Sequence, residues 1–134
     1  MKFRYAIDTQ RELIVLAYEG SFTLEQLISC TRLLWSDPDY RRGYNGITDI
    51  SAMATSEGLQ NLRGLMEFLK NEKDLSTGRW AIITSSPIAT AGSMVYKRTM
   101  APKHMIEVFS TWESACSFLQ VEAPRPVLSE YQLA

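Results

Sequence analysis

What this chain has little of narrows its chemistry first. Cysteine occurs twice, at Cys30 and Cys116, and histidine once, at His104. That leaves no Cys-x-x-Cys pair and no His-Glu-x-x-His helix, and a Gly-rich phosphate loop and a nucleophile elbow are missing as well. No cofactor is expected, and no acid–base pair stands out by spacing, so the expectation is a protein that is not an enzyme. Neither sign of charge dominates: 14 Lys and Arg stand against 15 Asp and Glu, a formal net charge of -1. No global field draws such a chain to nucleic acid or to an anionic membrane, and nucleic acid is not an expected partner. Long hydrophobic runs are absent too. The longest spans residues 13–18, far short of the ~20 residues that cross a bilayer. The first eight residues alternate apolar and polar, whereas a secretory signal carries a continuous apolar stretch of roughly 7–15 residues. These absences together lead to the expectation of a cytoplasmic protein with two reduced, buried thiols.

What is present is an ordinary globular composition, 46% hydrophobic and 22% charged over 134 residues, enough for one domain with one core. Residues 3–7 place Phe3, Tyr5 and Ile7 on one face of a strand. Residues 13–18 are apolar on both faces, as in a strand at the middle of a sheet. A hairpin joining the two leaves the first at an edge, where a symmetric homodimer could form. Thr23-Leu-Glu-Gln26 reads as a capping box, and the helix it opens is stopped by Asp37-Pro38. A central unit follows over residues 45–69: a strand (45–50), a turn (51–56) and an amphipathic helix (57–69). Trp80-Ala-Ile-Ile83 is a further strand. Ser86-Pro87 begins a helix whose first turns are rich in small residues, Ala89 to Ser93, and thus open to close approach by a ligand. A last strand (105–109) leads to a second capping box, Ser110-Thr-Trp-Glu113, and a last helix. Residues 1–121 are the expected domain, and residues 122–134 a proline-punctuated tail that frays or packs loosely, or else docks on a neighbour through Val127, Leu128 and Tyr131. The order β-β-α-β-α-β-α-β-α implies a mostly parallel five-stranded sheet with an antiparallel edge strand and flanking helices.

In such sheets ligands gather at the carboxyl ends of the strands. That edge carries Asp49, Ser51, Thr55, Ser56 and Glu57 in one turn and Ser85 and Ser86 in another. Two readings of these residues stand: turn and cap chemistry, or two walls of a site for a partner or a small anionic ligand at a helix N-terminus. Asp49 and Glu57 lack a third ligand for a metal. Met53, Met66, Met94, Met100 and Met105 offer a different candidate, an adaptable lining for an apolar ligand together with Ala91, Gly92 and the tryptophans, or else plain core filling. The cluster Lys97, Arg98, Lys103 and His104 reads as a solvated helix end.

The element order, with Gly46-Ile-Thr-Asp49-Ile, Thr55-Ser-Glu-Gly-Leu59 and Trp80-Ala-Ile-Ile-Thr-Ser-Ser-Pro87, resembles the STAS family over roughly residues 3–120. The closer likeness is to bacterial SpoIIAA-like proteins, whose fold is shared with the lipid-carrying SEC14/CRAL-TRIO domains. The resemblance implies a non-catalytic regulatory module working through protein contact or, on the SEC14 side, a carrier or sensor of a lipid or other apolar ligand in a Met-lined pocket. STAS antagonists have an Asp-Ser-Ser-Gly-Leu pattern at this helix entrance and are phosphorylated on the serine before the glycine. Here that place is held by Glu57, a standing carboxylate where the family switches charge by phosphorylation.

Overall fold

The computed structural model describes residues 1–54, 58–101 and 103–131. Among them the chain forms β1 (Lys2–Asp8), β2 (Leu13–Gly20), α1 (Leu24–Ser36), β3 (Asn45–Met53), α2 (Gly58–Lys70), β4 (Arg79–Ile83), α3 (Pro87–Met100), β5 (Met105–Phe109), α4 (Trp112–Leu119) and β6 (Ser129–Tyr131). One sheet holds the strands in the order β5-β4-β3-β2-β1-β6. The β2–β3, β3–β4 and β4–β5 pairs are parallel, whereas β1 runs antiparallel to both β2 and β6. The expected α/β order is present, with one strand added. None of the helices among the described residues is long and apolar enough to cross a membrane.

The local signals act as their chemistry requires. Thr23 Oγ1 accepts from the Gln26 N–H at 3.1 Å while the Gln26 side chain accepts from the Thr23 N–H at 2.9 Å, so two orphan donors at the start of α1 are met. At its other end Asp37 accepts the Tyr5 hydroxyl at 2.7 Å and tethers the helix exit to β1. Ser86 caps α3 through the Ala89 N–H at 3.1 Å, with Pro87 in the first turn. The cap of α4 is Thr111, which accepts from the Ser114 N–H at 3.1 Å. The expected cap, Ser110, is one residue too early, and the helix opens at Trp112 with Trp112, Ala115, Cys116 and Leu119 buried.

The sheet is buried on both faces at its centre. Ile14, Leu16, Trp80, Ile82 and Ile106 point to the face roofed by α1, α2 and α3. Leu13, Val15, Ile47, Ala81 and Ile83 point to the other face, closed by α4. The two thiols are free and buried, Cys30 in the first layer and Cys116 in the second.

Two expectations are corrected here. The strand of the central unit does not end at residue 50. Beyond a register shift near Ala17 and Glu19, it pairs again with β2 through Glu19–Ala52 and Gly20–Met53, so residues 51–53 belong to β3. Nor is the tail loose over residues 122–131, where docking prevails over loose packing. Arg125 pairs with Asp49 at 3.0 Å and lies over the Trp112 ring, and the Trp112 indole N–H donates to the Ala123 carbonyl at 2.9 Å. Leu128 packs on the α4-side core, and β6 then takes the free side of β1, with Phe3–Tyr131, Arg4–Glu130 and Tyr5–Ser129 as partners. β1 is therefore not an open edge, and the homodimer that an open edge would favour loses that basis.

Trp80 fixes the height of the helical roof. Its ring lies over Gly46 on β3, where a Cβ would run into the six-membered ring, and its indole N–H donates to Ser76 Oγ at 2.6 Å. Gly46→Ala is expected to destabilise the protein by about 1–3 kcal/mol through overpacking. Gly43→Ala, with open space at Cβ, should stay within about 0.5 kcal/mol of the parent. Urea unfolding of the two variants checks this, and equal midpoints would contradict the packing described.

Candidate binding cavity

The roof does not close fully on the sheet. Between α1, α2, α3 and the strands lies a cavity of about 540 Å³. Its floor includes Leu16, Thr48, Ile50, Ile82 and Ile106; its roof includes Leu34, Leu62, Leu65, Gly92 and Tyr96. Strand parity explains the floor, because Thr48 and Ile50 share the Gly46 face while Ile47 and Asp49 point away. The roof follows from helix period: Leu62, Leu65 and Leu69 lie on one stripe of α2, and Ala89, Gly92, Ser93 and Tyr96 on one stripe of α3. No described lining residue carries a formal charge except by protonation of His104.

The cavity has two unlike ends. Among the described residues, its exposed lining residues are Ser21, Ala54 and Ile88. They follow the carboxyl ends of β2, β3 and β4, so the opening lies at the edge where a ligand was expected. At the opposite end Tyr40, Leu75, Ser76, Trp80 and His104 are all buried. There Ser76 Oγ accepts from Trp80 and donates to the Arg42 carbonyl at 3.0 Å, and the Tyr40 hydroxyl donates to the Asp74 carbonyl at 2.6 Å.

His104 is different. It is 7% exposed, and neither Nδ1 nor Nε2 has a hydrogen-bond partner. Its ring sits edge-on to Trp80 and Tyr96, with centroids 5.9 and 6.3 Å away. Burial holds its pKa down at about 4, so the ring is neutral at pH 7. Each buried polar atom left unpaired costs about 1–3 kcal/mol. Burial acts likewise on the other ionisable groups of the lining: it pushes the Cys30 thiol and the Tyr40 hydroxyl up to about 12, and the Tyr18 and Tyr96 hydroxyls well above the usual range. The described lining therefore presents a neutral surface.

The residues expected to form the site are placed otherwise. Asp49 and Ser51 lie at the carboxyl edge on the α4 side: Asp49 Oδ1 accepts from the Ser51 N–H at 2.9 Å and from its hydroxyl at 2.5 Å, and Asp49 Oδ2 takes Arg125. Ser85 joins them by donating to the Ser51 carbonyl at 2.8 Å, and Ser86 is committed to its cap. The turn reading accounts for these four. Thr55, Ser56 and Glu57 lie outside the described residues. The methionine expectation is corrected. Of the five, only Met53 lines the cavity; Met66 and Met100 are packed in the core, and Met94 and Met105 are 39% and 60% exposed. The lining is aliphatic and aromatic, because the stripes of α1 and α2 that face inward carry leucine. The basic cluster also separates: Lys97 pairs with Glu107, the Lys103 ammonium donates to the Lys70 carbonyl, and His104 turns inward. The available signal for His104 was period two, which puts it on the same side as Ile106 just before β5.

Comparison of the chain with protein-family models, with curated proteins and with solved structures found no match.

The buried imidazole gives a pH dependence with a definite sign. The unfolded chain takes up a proton at His104 near pH 6.5, while the folded chain resists it down to about pH 4. Between these values the unfolded state binds more protons, so stability falls as pH falls, by about 3 kcal/mol across the window from this residue alone. Urea unfolding of the parent and His104→Phe at pH 7, 6, 5 and 4 should show the parent losing stability faster than the variant. Parallel pH profiles would contradict the buried neutral ring.

Proposed function

We propose that the protein binds a small, mainly hydrocarbon ligand in the cavity between the sheet and α1–α3. The carrying observation is an apolar space of about 540 Å³ with one open and one closed end. It falls within the roughly 300–1,000 Å³ typical of ligand sites, whereas native cores rarely keep voids larger than a water molecule. A lining of leucine, isoleucine and aromatic rings excludes inorganic anions by offering them no cation. The element order supports a STAS/SpoIIAA-like fold, and its likeness to lipid-carrying SEC14 domains runs in the same direction as the cavity.

A second reading, regulation through protein contact, has its own support. Ile88 at the opening and Met94 and Val95 farther along α3 are exposed apolar side chains. A partner seated there would meet the ligand's point of entry, which makes the two readings compatible in one ligand-sensing module.

One set of variants tests both. N-phenyl-1-naphthylamine, a neutral fluorescent diarylamine of suitable size, should bind one to one with a blue-shifted emission. Gly92→Leu directs a side chain into the cavity from a position whose Cβ has room beside Leu62. It should weaken binding at least about tenfold while the circular dichroism spectrum stays native, which corresponds to ~1.4 kcal/mol. Unchanged dye affinity in Gly92→Leu would sink the cavity reading. Val95→Asp should leave dye affinity unaltered and abolish capture of any partner that wild type retains. Equal capture by Val95→Asp and wild type would remove the contact surface on α3.

A further inference from the structure

The closed end of the cavity carries a polar requirement that an all-hydrocarbon occupant would not meet. His104 lines that end, is 7% exposed, and has both ring nitrogens unpartnered, while the neighbouring Ser76 and Tyr40 hydroxyls are engaged with backbone carbonyls. Buried polar atoms in native proteins are nearly always paired, with protein, water or ligand. His104 also lies far from the opening, with the Leu16, Ile82 and Ile106 floor between it and the exposed Ile88. The unmet atoms and the open mouth thus sit at opposite ends of one apolar passage.

The chemistry at that end selects among head groups. A neutral imidazole offers one N–H donor and one nitrogen acceptor. A hydroxyl both donates and accepts, so it satisfies whichever nitrogen faces the cavity. A ketone or ester carbonyl only accepts. A carboxylate also only accepts, and brings a charge that none of the described lining side chains offsets unless His104 is protonated, which burial opposes.

We propose that the natural ligand is an uncharged hydrocarbon alcohol or phenol that enters hydroxyl first, so that its hydroxyl hydrogen-bonds His104 at the closed end and its apolar body fills the passage toward Ile88. At the packing density of protein interiors the space holds roughly 15–20 non-hydrogen atoms. The proposal rests on the cavity being a ligand site, as set out above, and adds the ligand's polarity and its orientation.

The test is displacement of N-phenyl-1-naphthylamine from the intact chain by tetradecan-1-ol, tetradecane and tetradecanoate at pH 7.5, for wild type and His104→Leu. Wild type should prefer the alcohol over the alkane and over the carboxylate by about tenfold, the ratio expected for one buried hydrogen bond. His104→Leu should bind alcohol and alkane within about threefold of each other. A second readout needs no variant: the ¹⁵N resonances of the His104 ring in wild type should move when tetradecan-1-ol is added and stay put with tetradecane. Equal displacement by alcohol and alkane in wild type, a preference for tetradecanoate, or imidazole resonances that ignore the alcohol as if a trapped water alone met the ring would each overturn the assignment while leaving the cavity a ligand site. Failure of the dye and of all three compounds to bind would overturn both.

Discussion

The middle of the sheet has to be covered on two sides. β2 and β4 carry apolar side chains on both faces, so neither face can be left to water. At roughly 25 cal/mol for each Å² of apolar surface, covering them is the dominant favourable term available to a chain of this size. The two faces meet this demand differently. On one, α4 lies directly on β4, and the segment from Ala123 to Leu128 fills the remaining area, pinned by the Trp112–Ala123 hydrogen bond and the Arg125–Asp49 pair. On the other, three helices span a floor wider than their side chains fill.

The height of that roof is set by bulk near its closed end. Trp80 over Gly46, edge-on to His104, together with buried Tyr40 and Met100, props the helices at that end. Toward the carboxyl ends the inward residues of α3 become small, Ala89, Gly92 and Ser93, and the lining reaches the exposed Ile88. Large residues at one end and small ones at the other therefore turn a two-layer packing into a passage. The passage loses the dispersion contacts that a filled core would have, and an apolar occupant restores them. The same arrangement explains why the titratable groups inside stay neutral: desolvation by burial is the largest influence on each of them.

Much of the fold was legible because its signals are local. The Thr23–Gln26 box, the Asp37-Pro38 stop, the Ser86-Pro87 start and the two-faced β2 each depend on residues within a few positions of one another. The tail strand was not legible in this way, since Ser129–Tyr131 is three residues long and its partner β1 lies at the other end of the chain. The site was legible only as a place. The carboxyl edge is where the cavity opens, and on that edge strand parity decides between the two readings of its polar residues. On β3, period two sends Thr48 and Ile50 into the cavity and Asp49 and Ser51 to the α4 side. The softness of Met94 suits a lining, but its position on α3 leaves it outside the inward stripe of Ala89, Gly92, Ser93 and Tyr96. His104 was grouped with nearby lysines by sequence proximity. Its burial comes from the return of α3 onto β5 and the ring of Trp80, which are tertiary facts.

The central claim is that the passage between the sheet and α1–α3 is built to be occupied by an apolar molecule. The most direct test is the electron density inside it, from crystals of protein purified without added ligand and diffracting well enough to separate water from hydrocarbon. Continuous elongated density running from His104 toward Ile88 is expected. A passage closed by α2 and α3 settling onto Ile50 and Ile82, or one holding only discrete waters, would contradict the account.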